Sequence, residues 1–183
     1  MSFNEHALEL SIMELFKDNE YIYLLGEQIH REKSDVLLVD DLKQFLYNKY
    51  AKNGITTSEV DSIILMLRTI SGSLYEANKA FCKLLTDGFV FNREDRSQKD
   101  FHINLIDFEN LDNNVFKIVN QVEIEGIGNQ IRIPDGIVYI NGIPVVVLEF
   151  KSAIKENTTI HDAHTQLTVR YRRDIPELFK YNT

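Results

Sequence analysis

The feature that most constrains the fold is a pair of apolar runs, residues 131–140 and 143–151, separated by Asn141-Gly142. Runs rich in Ile, Val and Phe are typical of β-strands, and Asn-Gly is the dipeptide that most strongly favours a tight hairpin turn. The first run contains Pro134-Asp135-Gly136, and the second contains Leu148-Glu149-Phe150-Lys151. A hairpin therefore brings two carboxylates and a lysine to one end of a sheet.

The length of the turn decides whether Asp135, Glu149 and Lys151 share a face of that sheet. Side chains alternate across a strand, so a two-residue turn with regular pairing puts Asp135 on the face opposite the other two. A three-residue turn, with Gly142 left-handed in a G1 bulge, changes the parity and puts all three on one face. We therefore predict a bulged three-residue turn. A regular two-residue hairpin counts against a shared site unless another bulge intervenes near Asp135.

On a shared face, the three side chains form a pattern typical of metal-dependent phosphodiester cleavage. Asp135 and Glu149 supply hard oxygen ligands suited to Mg²⁺, which keeps most of its waters and takes one or two protein carboxylates. Lys151 lies two residues past Glu149, so its ammonium points the same way and can stabilise charge in the transition state. The alternative is a hairpin with ordinary surface charges, because Asp and Glu-x-Lys are common taken singly. The pattern favours a nuclease site.

Candidates for further site residues lie on the first and last predicted helices. Glu9 shares a helical face with apolar neighbours and is predicted to point over the sheet, with Glu5 as the competing choice. Gln166 and Arg170 lie one turn apart in the last helix, where they can touch DNA phosphates. A solvated helix face is the alternative for each. Thr159 is predicted to cap the last helix, and the inward stripe of that helix is predicted to comprise Ile160, His164, Leu167 and Tyr171.

The remaining patterns predict the architecture. An opening helix and short strand are followed by three helical segments within 39–88, an inserted helical lobe, and then by a catalytic sheet and helix over 101–183. The second of these segments is predicted to start at Ser58, capped with help from Asp61. Residues 92–100 are predicted to be an exposed, solvated loop. The unbroken apolar run 145–148 predicts a central strand buried on both faces. The chain is most simply one domain.

Charge, cysteine content and missing motifs exclude several classes of protein. The net charge of −8 argues against a general nucleic-acid binder, and any DNA-facing surface is expected in 151–183, where six Lys and Arg outnumber four Asp and Glu. His161 and His164 lack further zinc ligands nearby, and no ATP-binding loop signature is present. A single cysteine, Cys82, excludes an internal disulfide, and no membrane-spanning run is found, so we expect a cytoplasmic protein.

Residues 119–182 resemble the N-terminal domain of the restriction (R) subunit of type I restriction-modification enzymes. The resemblance rests on Val-Asn-Gln-Val at 119–122, on the hairpin sequence of 134–151, and on Ile-Pro-Glu-Leu-Phe-Lys-Tyr-Asn at 175–182. The helical lobe and the segment Leu105-Ile-Asp-Phe108 are also similar to that family, so the resemblance covers nearly the whole chain.

The resemblance implies an α/β fold with a restriction-endonuclease-like PD-(D/E)xK core, in which a mixed central sheet is flanked by helices. It implies Mg²⁺-dependent DNA cleavage, with Asp135, Glu149 and Lys151 in the catalytic roles and Glu9 as the helix-borne acid. An accessory Gln and Tyr of the family correspond to Gln166 and Tyr171. Their spacing here is five residues, longer than one α-helical turn, so Tyr171 as a core residue remains the alternative.

Subunits of this family also carry an ATP-dependent DNA translocase and work on double-stranded DNA with methylation and specificity subunits. None of that machinery is in this sequence, so we expect a fragment of a longer chain, with ATP used only elsewhere in it. Two other hypotheses stay open at this stage. One is a stand-alone nuclease or resolvase of the same fold, and the other is a catalytically silent domain that docks on DNA or partner subunits.

Overall fold

The computed structural model describes residues 5–151 and 160–182. The helices are α1 (Glu5–Asp18), α2 (Val39–Tyr50), α3 (Thr57–Arg68), α4 (Leu74–Asp87), α5 (Ile160–Thr165) and α6 (Arg172–Asp174), with a π-helical segment, Gln166–Tyr171, between the last two. The strands are β1 (Ile22–Leu25), β2 (Phe89–Phe91), β3 (Phe101–Ile103), β4 (Phe116–Asn120), β5 (Ile124–Glu125), β6 (Ile131–Arg132), β7 (Gly136–Ile140) and β8 (Ile143–Leu148). The predicted opening, a helix followed by a short strand, is confirmed.

A mixed four-stranded sheet with the order β1-β4-β7-β8 forms the centre of the molecule. β1 runs parallel to β4, whereas β4, β7 and β8 are antiparallel neighbours. The sheet is flanked by helices, which confirms the mixed α/β class. The prediction that residues 145–148 form a central strand is wrong, because β8 is the outer strand of this sheet in the part of the chain described and Val146 is 41% exposed. A bulge in this strand interrupts the alternation of its side chains between the two faces of the sheet.

Helices α2, α3 and α4 occupy the range predicted for the helical lobe. Their buried side chains, among them Phe45, Ile63, Leu67 and Phe81, belong to the same hydrophobic cluster as the sheet residues. The cap predicted at Ser58 is wrong. Thr56 is the N-cap of α3, because its Oγ1 accepts from Glu59 N at 3.2 Å while the Glu59 carboxylate accepts from Thr56 N at 2.9 Å. Whether these helices are a separable lobe stays a prediction.

The segment 92–100 is an exposed loop, as predicted, except at Arg93, which is buried. Its guanidinium is 5% exposed and pairs with the Glu59 carboxylate, which is 1% exposed, at 2.9 Å. It also donates to Asn53 O and Gly54 O and lies over the Phe101 ring. Burial alone would raise the pKa of Glu59, but hydrogen bonds from Arg93 and Thr56 hold that pKa below its usual range. The pair ties the start of α3 to the hairpin formed by β2 and β3.

The inward stripe predicted for the last helix is half wrong. Tyr171 is buried and Leu167 packs against the core, as expected, but Ile160 is 88% exposed and His164 is exposed. The predicted cap, Thr159, lies outside the described residues. The cause is the π-helical segment, since its wider turns change which residues share a face.

Among the described residues, no helix is long and apolar enough to span a membrane.

Candidate active site

The Asn141-Gly142 turn has two residues, so the predicted three-residue G1 bulge is wrong. Ile140 pairs directly with Ile143. Both turn residues have positive φ, 51° at Asn141 and 79° at Gly142, as a type I′ turn requires. On regular pairing this turn would separate Asp135 from Glu149.

A bulge inside the hairpin returns Asp135 and Glu149 to the same face of the sheet. The pairs on either side of it are Tyr139–Pro144 and Val138–Val146, which makes Val145 the extra residue. Regular pairing then continues to Gly136 opposite Leu148, and the same register places Asp135 opposite Glu149. Residues directly opposite each other point to the same face of a sheet. The bulge lies in β8 rather than near Asp135, but it places Asp135 and Glu149 on one face, as a shared site requires.

The three hairpin side chains meet at the end of the sheet. Asp135 Oδ2 accepts a hydrogen bond of 2.6 Å from Phe150 N, which fixes the ends of the two strands against each other. Lys151 Nζ lies 2.6 Å from Glu149 Oε1, and Tyr171 OH donates to Glu149 Oε2 at 3.1 Å. The side chains of Glu149 and Lys151 are only 2% and 18% exposed. The structure therefore brings the three predicted side chains together at a place that is largely shielded from solvent.

The charge balance at Glu149 favours a cation. Burial raises the pKa of the Glu149 carboxyl, the ion pair with Lys151 lowers it, and the neighbouring Asp135 carboxylate raises it, with a net upward shift of the pKa. The ionised form of Glu149 is therefore disfavoured in the folded protein, and the Lys151 ammonium offsets this only in part. A divalent cation between the two carboxylates would relieve it.

Glu149→Gln is expected to stabilise the metal-free protein at neutral pH and so to raise the midpoint of thermal unfolding. A carboxyl whose folded pKa is raised favours folding while it is protonated, and this contribution is lost as the pH rises through the folded pKa. Gln does not titrate, so the variant avoids that loss. Thermal unfolding without metal from pH 4 to pH 8 checks this. The advantage of the variant should be small at pH 4 and full at pH 8, and a constant or inverted difference would contradict it.

The five-residue spacing of Gln166 and Tyr171 is explained by the π-helical segment that contains both. A π-helix bonds residue i to residue i+5, so residues five apart lie on one face. Gln166 Nε2 donates to Tyr171 OH at 2.7 Å, and that hydroxyl contacts Glu149 Oε2 and Ile133 O. Tyr171 is thus both buried and in contact with the site. Burial raises the pKa of its hydroxyl, so it stays a proton donor at neutral pH. Arg170 is exposed on this helix.

Glu9 reaches the same end of the sheet through a residue that the sequence analysis did not single out. Its Oε1 accepts from Gln121 Nε2 at 2.8 Å, and Gln121 N donates to Asp135 O at 3.4 Å. The Glu9 side chain is 12% exposed. Nothing is described for the side chain of the competing Glu5. The sequence signal that could have identified Gln121 is its place in the Val-Asn-Gln-Val segment at 119–122.

The donor set fits a hard divalent cation better than zinc. No group of three or more His, Cys, Asp or Glu in metal-binding geometry occurs within residues 5–151 and 160–182. Two adjacent carboxylates, Asp135 and Glu149, are the number that Mg²⁺ usually takes from a protein. A tetrahedral zinc site would need more ligands, and softer ones. These two carboxylates are the residues that would hold the metal.

Comparison with known proteins gives consistent matches. The family model for the type I restriction enzyme R protein N terminus matches residues 2–183. The HindI endonuclease subunit of a type I restriction enzyme from Haemophilus influenzae is 32% identical over 98% of this chain, a region that makes up 18% of that subunit. A Methanocaldococcus jannaschii protein named as the MjaIXP endonuclease subunit of a type I restriction enzyme is 39% identical over 56% of the chain. The chain thus spans a minor part of the length of these relatives.

Proposed function

The chain belongs to the family of type I restriction enzyme R protein N-termini, and from this premise we propose that it is the endonuclease domain of such a subunit. It would hydrolyse phosphodiester bonds of double-stranded DNA with Mg²⁺, on a PD-(D/E)xK core. The observation that carries the proposal is the meeting of Asp135, Glu149 and Lys151 at the end of the hairpin, which depends on the bulge at Val145.

Each residue of the site has a role that follows from its charge and position. Asp135 and Glu149 would hold Mg²⁺, which when bound acidifies a water and offsets charge on the phosphate oxygens. Lys151, fixed by its ion pair with Glu149, presents an ammonium to the phosphate and stabilises the charge that develops there. Tyr171, oriented by Gln166, holds the second Glu149 oxygen in place. Glu9 would contribute a further negative charge from α1, held by its hydrogen bond from Gln121.

The remaining parts of the proposal concern the complete protein. The relatives are far longer than this chain and are named as endonuclease subunits. We propose that cutting is coupled to ATP-dependent DNA translocation by other parts of the same subunit, in a cytoplasmic complex with methylation and specificity subunits. Gln166 and the exposed Arg170 lie on the helix beside the site, from which Arg170 can reach a DNA phosphate.

Lys151→Ala in the complete enzyme tests this function. Cleavage should fall by about 100-fold or more, because the variant loses a charge that acts in the transition state. ATP hydrolysis should persist, since the translocase is elsewhere. Lys43→Ala is a matched control, because Lys43 pairs with Asp61 on the surface of the helices, and it should cut normally. A Lys151→Ala enzyme that cuts at the wild-type rate would reject the assignment and favour a silent docking domain.

A further inference from the structure

Gln121 joins the two parts of the site. It follows the last residue pair of β4 and β7, Asn120 with Gly136, and therefore lies across from Asp135. Its backbone NH donates to Asp135 O, and its side-chain amide donates to Glu9 Oε1 at 2.8 Å. One residue thus contacts both the hairpin that carries three site residues and the helix that carries Glu9.

The backbone of Gln121 is what turns its side chain toward α1. A Cβ on Gly136 would lie 3.0 Å from Met13 Cε, so α1 covers the face to which Gly136 and Asn120 belong. Strict alternation would point the next residue, Gln121, away from that face. Its φ is 55°, in the left-handed region, and this breaks the alternation. Such strain in a non-glycine residue persists where the surroundings impose it.

The surroundings do impose it, because the chain that follows β1 packs directly on Gln121. A Cβ on Gly26 would lie 2.2 Å from Gln121 O, so only glycine allows this approach. The carbonyl of Gln121 is therefore held on one side by the turn after β1, and its NH is directed to Asp135 on the other. The side chain is aimed at Glu9 by a backbone that has little freedom to move.

The chemistry of the contact suits a carboxylate that must keep its charge. An amide donates a hydrogen bond to Glu9 but carries no charge. A lysine or arginine would instead neutralise the charge of the carboxylate. The bond uses Oε1, while Oε2 lies 3.8 Å from His6 Nδ1, beyond hydrogen-bond distance. Glu9 is therefore oriented through Oε1, while its Oε2 faces His6.

We propose that Gln121 is a positioning residue, which orients the Glu9 carboxylate at this end of the sheet for DNA cleavage. This inference rests on the proposed nuclease function. It assigns Gln121 no contact with DNA or with the reacting atoms, and its effect passes entirely through Glu9.

The test is a double-mutant cycle in the complete enzyme, with Gln121→Met and Glu9→Ala. Met is close to Gln in length but cannot donate, so Gln121→Met should cut about 10- to 100-fold more slowly, the usual loss for a residue that orients a site group. Adding it to Glu9→Ala should cause no further loss, because the group it positions is already gone. Independent, multiplying effects of the two changes would overturn the positioning role.

Gln121→Gly guards against a folding defect, since glycine accepts the left-handed backbone without strain and lacks the amide. It should cut as slowly as Gln121→Met while hydrolysing ATP normally. Wild-type cutting by both Gln121 variants, with Asp135→Asn inactive, would remove the positioning role and leave the nuclease function standing. Cutting by Asp135→Asn would instead remove the nuclease function itself.

Discussion

Asp135→Asn in the complete enzyme should lower the rate of DNA cleavage by about 1000-fold or more, the result of losing several kcal/mol of transition-state stabilisation. The substitution removes a negative charge that would hold the metal, and an amide oxygen is a much weaker ligand. It keeps an oxygen at the position that now accepts Phe150 N at 2.6 Å, so the ends of the hairpin should stay paired. The measurement is the rate of DNA cleavage with ATP hydrolysis recorded alongside.

Asp112→Asn is the control for that experiment, because Asp112 is an exposed acid in a surface turn and undergoes the same chemical change. It should cut at the wild-type rate. Equal activity of the two variants would mean that the charge of Asp135 has no special role, and the metal site would have to be abandoned.

Glu59→Ala should have the largest effect on stability, lowering the free energy of unfolding by about 3–5 kcal/mol. Glu59 and Arg93 form a buried ion pair, 1% and 5% exposed. Removing the carboxylate leaves the guanidinium buried, with the carbonyls of Asn53 and Gly54 as its remaining hydrogen-bond partners among the described residues. The variant also loses the capping bond from Thr56 N to Glu59 Oε2. Urea unfolding of the chain measures the loss.

An exposed ion pair whose acid also lies in α3 serves as the control. It shows how much of the loss of stability comes from burial and how much from removal of a charge. Asp61 in α3 pairs with Lys43, and their side chains are 53% and 36% exposed. Asp61→Ala should therefore cost less than about 1 kcal/mol. Similar losses for Glu59→Ala and Asp61→Ala would show that the Glu59–Arg93 pair is not held in the interior.

The hairpin and most helices follow from apolar periodicity and turn residues, but the position of the bulge does not. The sequence between Pro144 and Leu148 is three valines, so it carries no mark of which one is the extra residue. The turn itself is decided by contacts far along the chain. Asn141 is fully buried and accepts from Val115 N while donating to Leu105 O. These contacts fix a two-residue turn that local sequence leaves open.

Two further features depend on long-range packing. Arg93 lies in a polar segment that reads as a surface loop, and its partner Glu59 is 34 positions earlier in the chain. The π-helical segment is equally hard to predict from the sequence, because a helical run is assumed to have α-helical spacing. Its clue was the five-residue interval between Gln166 and Tyr171, which fits a π-helix and not an α-helix.

The most direct test of the central claim follows DNA cleavage and ATP hydrolysis in one reaction, with the complete enzyme carrying Glu149→Gln. The folded domain is expected to be at least as stable as the wild type at neutral pH, because the pKa of Glu149 is raised by burial and by Asp135. Thermal unfolding of the variant, measured alongside, separates a loss of chemistry from a loss of folding. The account predicts normal ATP hydrolysis with cleavage reduced by about 1000-fold. Cleavage at the wild-type rate would contradict it.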